Sequence, residues 1–113
     1  MAAKFDFESL DKPFEADWPV VVSVPQANGK VVEQRFSARF RLLDGDLAET
    51  IAMLRTADGP AEDIYRKFFV GFGANEEQTL TDELLTKMLQ RPYVSSALLA
   101  AYTKFATGIP EKN

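Results

Sequence analysis

The sequence predicts an α+β domain: an antiparallel β-hairpin at the N-terminal side, followed by about four short α-helices. Three observations predict it. Residues 31–43 alternate apolar and polar, an Asn-Gly pair separates two β-rich runs, and from residue 44 the apolar spacing turns helical. Strands first and helices after is the signature of α+β folds.

Residues 1–17 form an arm in which aromatic and acidic residues alternate: Phe5-Asp6-Phe7-Glu8, then Phe14-Glu15-Ala16-Asp17, with Pro13 interrupting. An extended arm of this kind can pair as an edge strand or dock its phenylalanines on a neighbour. The rest, 18–113, reads as one domain, with the hairpin over 18–43 and the helical part over 44–108.

The first strand is Trp18 to Val24. In the second, Val32, Phe36, Ala38, Phe40 and Leu42 share one face, and Glu33, Arg35, Ser37, Arg39 and Arg41 share the other. A two-residue Asn28-Gly29 loop would put Val20, Val22 and Val24 on the arginine face. A three-residue loop, Ala27-Asn28-Gly29, pairs Val24 with Val32, Val20 with Phe36 and Trp18 with Ala38. A one-residue slip exchanges the faces, so the three-residue loop is expected, with Gly29 left-handed.

Asp46-Leu-Ala-Glu49 resembles a capping box, and Leu47, Ile51 and Leu54 form the stripe of the first helix. Asp58-Gly59-Pro60 stops it. The second helix carries Ile64, Tyr65, Phe68 and Phe69, and Gly71 and Gly73 are expected to end it. The third starts at Thr81 as N-cap and shows Leu84, Leu85, Met88 and Leu89. The fourth runs from Tyr93 to Thr107, with Val94, Leu98, Ala101, Tyr102 and Phe105 on one side, and Gly108 and Pro110 close it.

The chain of 113 residues has no cysteine and no histidine. Disulfide frameworks and thiolate metal sites are therefore excluded, and so are the commonest general base and metal ligand. Asp44 and Asp46 flank Gly45, but a calcium loop of the EF-hand kind needs further acids and a distal Glu; helix capping is the expected role. Glu62-Asp63, Glu76-Glu77 and Asp82-Glu83 read as solvated or helix-start acids. Gly71-Phe72-Gly73 lacks the spacing of a dinucleotide cradle. No enzyme activity, catalytic residue, metal or cofactor is expected.

The net charge is −4. Residues 1–43 carry six acids and six bases, and residues 44–113 carry eleven acids and seven bases, so nucleic acid is not an expected partner. No apolar run approaches the ~20 residues of a membrane span, and the N-terminus lacks a signal-peptide core. A soluble cytoplasmic protein with no membrane partner is expected. Nine Phe, three Tyr and one Trp are many for this length and favour self-association or a protein client. Arg35, Arg39 and Arg41 on one strand face, and Tyr102 and Phe105 on the last helix, are the candidate protein-binding residues. The arginines suit carboxylates of a neighbouring subunit.

From about residue 18 onward, the order of segments resembles the tail assembly chaperones of long-tailed, siphovirus-type bacteriophages. Phe69-Val70-Gly71-Phe72 is similar to the family's Val-Gly-Trp-type segment. A polar loop, a short leucine helix from Thr81 to Leu89, Pro92, the apolar run Ala97-Leu-Leu-Ala-Ala-Tyr102, Gly108 and Lys112-Asn113 follow in order. The strand Phe36-Ser-Ala-Arg-Phe-Arg-Leu-Leu43 before Asp46-Leu47 resembles the family's strand-then-helix opening.

The resemblance implies a protein that self-associates as a homo-oligomer, binds the tape measure protein during tail tube assembly in the cytoplasm of the bacterial host, and is absent from the mature virion. It also implies a longer product of translational frameshifting, through which the tail tube protein is recruited; Glu111-Lys112-Asn113 suits such a junction. The alternative is a small structural tail or connector protein of the virion.

Overall fold

The structure, a computed structural model, describes residues 3–45, 47–56 and 61–110. The strands are β1 (Glu15–Pro25), β2 (Val31–Arg41) and β3 (Phe69–Phe72). The helices are α1 (Leu47–Thr56), α2 (Ala61–Phe68), α3 (Asp82–Leu89) and α4 (Pro92–Thr107). The strands make one antiparallel sheet in the order β1-β2-β3. The α+β class with an N-terminal hairpin holds.

The hairpin has the expected register: Val24 lies opposite Val32, Val20 opposite Phe36 and Trp18 opposite Ala38. The loop is Ala27–Gly29, closed where the Gln26 N–H donates to the Lys30 carbonyl at 2.7 Å. Gly29 is left-handed at φ 77°, and Asn28 is too, at φ 64°. Asn tolerates that region better than other residues with a Cβ, because its short amide can bond locally.

The arm is shorter than expected. β1 begins at Glu15, since Glu15 and Asp17 are directly opposite Arg41 and Arg39 and continue the ladder. Ahead of it, Phe7–Asp11 form a 3-10 turn capped by the Asp6 carboxylate, which accepts from the Glu8 N–H.

Phe69 and the Gly71-Phe72-Gly73 stretch depart from the expectation of a helix end. α2 stops at Phe68, and Phe69–Phe72 become β3, paired with β2 through a bulge at Arg39 and Phe40. The reason is tertiary. The edge of β2 offers backbone partners, and Phe69 is buried with its ring 6.2 Å from that of Phe40. Such pairing outweighs local preference in a four-residue segment.

Phe40 is the centre of the core. The rings of Phe68 and Phe69 lie 6.2 Å from it, and those of Tyr102 and Phe105 lie 5.7 Å away. Val20, Val22 and Ala38 complete the sheet's contribution, and Leu85 and Leu98 close the helical side. α4 lies across β1. Pro92 occupies its first turn, and Gly108 ends it in the left-handed region at φ 74°. Thr81 caps α3, its Oγ1 accepting from the Leu84 N–H at 3.1 Å.

The Asp46 cap, the Asp58-Gly59-Pro60 stop and the Glu111-Lys112-Asn113 ending lie outside the described residues. Among the described residues no helix is long and apolar enough to cross a membrane.

Candidate functional site

On the polar face of the hairpin, strand alternation aligns acids of β1 with arginines of β2. Arg39 Nη1 donates to Asp17 Oδ1 at 3.2 Å, and its Nε lies 3.6 Å from Glu15 Oε1. Arg41 donates to Glu15 Oε2 from Nε at 3.0 Å and Nη2 at 2.9 Å. Arg39 and Arg41 thus find carboxylates within their own hairpin. Arg35 is exposed nearer the turn and is also engaged. The three arginines share a face, as expected, but two of them are neutralised locally.

The segment after β3 crosses this face. A Cβ on Gly73 would sit 2.1 Å from Ser37 Oγ, so only glycine permits the approach. The Gly73 N–H donates to the Ser37 carbonyl at 2.8 Å, and the Ser37 N–H donates to Glu76 Oε2 at 2.6 Å. Next to it, the Ala74 N–H donates to Asp17 Oδ2 at 3.1 Å. That bond, and then Arg39, hold the Asp17 carboxyl below its ordinary pKa. Glu76, expected to be solvated, is therefore a partner of the sheet.

These bonds fix which backbone groups face which edge. Both groups of Ser37 point towards β3, so Ser37 and Pro19, directly opposite each other, form a non-hydrogen-bonded pair. The even positions carry the hairpin's internal bonds, as the Leu42 N–H to the Phe14 carbonyl at 2.9 Å shows. Pro19 and Pro25 therefore sit at outward-facing positions of β1 and offer no N–H to a further strand. The other edge is different. β3 pairs with residues 38–40 of β2, and no described strand pairs with residues 31–35 on that side.

Among the described residues two apolar grooves stay open. At one end of the hairpin Phe5, Leu10, Phe14 and Leu42 line a groove of about 550 Å³, with Phe7 beside it. Phe5 is 58% exposed and Phe7 72%. At the tip, Val22, Val24 and Phe36 of the sheet and Met88, Tyr93 and Val94 of the α3–α4 junction line a second groove of about 360 Å³.

Tyr102 and Phe105 lie elsewhere than expected. They are 2% and 7% exposed, and both belong to the core. Tyr102 Oη accepts from the Leu43 N–H at 3.1 Å, and burial raises its pKa. Phe105 stacks on Phe14 at 5.6 Å and supports the arm from beneath. The sequence signalled the exposed arm through its Phe-Asp-Phe alternation. The tip groove escaped it, because its walls are distant in sequence.

The acid pairs of α2 and α3 stand in first helical turns, and Asp82 is ion-paired with Arg66. Among the described residues no group of three or more Asp or Glu side chains could hold a metal ion. Comparison of the chain with family models, with curated proteins and with solved structures finds no match.

Proposed function

We propose that this protein acts by binding other proteins and performs no chemistry of its own, as a tail assembly chaperone of a long-tailed phage. In the host cytoplasm it self-associates and holds the tape measure protein soluble while the tail tube forms. It then departs, and a longer frameshifted product recruits the tail tube protein. The supporting observation is the pair of uncovered apolar surfaces at the two ends of the hairpin. Exposed apolar surface rimmed by polar groups suits a protein client. The phage assignment comes from the order of segments in the sequence.

Co-expression with the tape measure protein of the same phage is the test. The expected result is a larger soluble fraction of that protein and a complex that co-elutes on sizing. Unchanged solubility and separate elution would overturn the reading. A stoichiometric band in purified virions would instead support a structural tail subunit.

A further inference from the structure

The arm carries a ridge and a groove on one patch. Phe5, Leu10, Phe14 and Leu42 wall the groove, which has a volume of about 550 Å³. Two of these walls are anchored: Phe14 stacks on Phe105 at 5.6 Å, and the Leu42 N–H donates to the Phe14 carbonyl at 2.9 Å. The ridge is Phe7, whose ring packs edge-on against Phe5 at 4.9 Å without lining the groove. The 3-10 turn holds it there, since the Asp6 carboxylate accepts from the Glu8 N–H and Ser9 Oγ donates to the Asp6 carbonyl at 2.7 Å. A ridge already ordered loses little freedom on binding. A cavity of about 150 Å³ holds a benzene ring, so the groove has room for a phenyl side chain.

We propose that two copies of this chain pair about a twofold axis through their arms, each placing Phe7 in the groove of the other. A twofold contact uses the same patch on both copies, so a ridge and a groove side by side are what it requires, and it closes at two. The exposed area suits this occupant. Phe5, Phe7 and Phe14 are 58%, 72% and 52% exposed. At about 200 Å² for a whole aromatic side chain, these rings leave about 360 Å² in water. A standard interface takes about 800 Å² from each partner, of which about 60% is apolar. The three rings supply about three quarters of that apolar share, and the exposed Leu10 and Leu42 extend it.

Charge favours the same occupant. On the hairpin face Arg39 and Arg41 are neutralised within their own copy. Around the arm, Lys4, Lys12 and Glu8 have no ion-pair partner among the described residues. Lys12 lines the groove, Lys4 adjoins Phe5, and Glu8 adjoins Phe7. Seating Phe7 in the other copy's groove carries Glu8 toward the two lysines there, and the symmetry makes this exchange twice. Asp44 also lines the groove, so its rim holds both signs, as a patch that meets its own copy needs. The tip groove lies at the opposite end of the hairpin and stays open in such a dimer.

The proposal rests on the self-association in the proposed function and not on the identity of the client, so it is tested on the full chain alone. Sedimentation equilibrium across a concentration series should show monomer and dimer, with no growth beyond the mass of two chains. Phe7→Ser should weaken the dimer at least tenfold with an unchanged far-UV spectrum, since its turn contains no buried residue. Leu10→Asp in the groove wall should do the same. The chain has no cysteine, so Phe7→Cys mixed with Leu42→Cys should form a disulfide-linked pair under mild oxidation faster than either variant alone. Monomer at every concentration would overturn the proposal. So would growth beyond a dimer, a dimer indifferent to both substitutions, or cross-linking no faster in the mixture. A monomer whose Phe7→Ser variant loses the tape measure protein would assign the patch to that client instead, and would overturn the proposal too. Failure of client capture by an intact dimer would overturn the chaperone reading and leave this one standing.

Discussion

Glu76 finishes a ladder that β3 leaves short. Its Oε2 accepts the Ser37 N–H at 2.6 Å, one position beyond the last residue of β2 that β3 pairs. Glu76→Ala removes the acceptor from a part-buried donor and is expected to cost about 1–2 kcal/mol. Glu76→Gln keeps an amide oxygen in the same place and should recover most of the loss. Urea denaturation of the three proteins checks it; equal midpoints for Ala and wild type would show the bond to be idle.

Gly73 makes that crossing possible. A Cβ there meets Ser37 Oγ at 2.1 Å and Ser37 Cβ at 2.7 Å. Gly73→Ala should destabilise by about 1–3 kcal/mol through overpacking. Adding Ser37→Gly removes both obstructing atoms, and the double variant should be more stable than Gly73→Ala alone. The comparison by thermal melting separates a steric cause from any intrinsic effect of alanine in a turn.

Asp17 couples the fold to acid. Its carboxyl titrates below its ordinary 3.8 because the Ala74 N–H and then Arg39 favour the charged form. A carboxyl with a depressed native pKa contributes its stability above the unfolded-state value. That contribution is lost as pH falls through the native one. Wild type should therefore exceed Asp17→Asn in urea midpoint at pH 6. The gap should shrink below about pH 4. A gap independent of pH would place the effect in packing rather than in charge.

Pro19 guards the outer edge of β1. Opposite Ser37 in a non-hydrogen-bonded pair, it presents no donor to an incoming strand. Pro19→Thr adds an outward N–H between Asp17 and Val21 and should make the edge pair with other chains. The expected sign is faster growth of light scattering on warming, with the folded state's spectrum unchanged. Scattering equal to wild type would show that the proline is not what protects this edge.

The hairpin and its register were legible in the sequence, and so were the N-cap of α3 and the Gly108 end of α4. Those features rest on periods of 2 and 3.6 residues and on glycine or Asn-Gly punctuation, which are local properties. A three-residue loop was the only one that kept Val20, Val22 and Val24 on the same face as Phe36 and Phe40. Aromatic residues in the arm were visible for the same reason.

β3, the roles of Gly73 and Glu76, and the tip groove were decided by tertiary structure. Phe69 follows a helical stripe, and four residues are too few to declare a period of their own. The open edge of β2 and the ring of Phe40 make it a strand. Arg39 and Arg41 showed their alignment but not their partners, because Glu15 and Asp17 meet them only through the ladder. Tyr102 and Phe105 lie on one face of an apolar helix, and nothing local says whether that face meets core or solvent. The sequence alone determined the alternation of surfaces; which surfaces were covered depended on long-range pairing, since burial is a property of neighbours brought together by the fold.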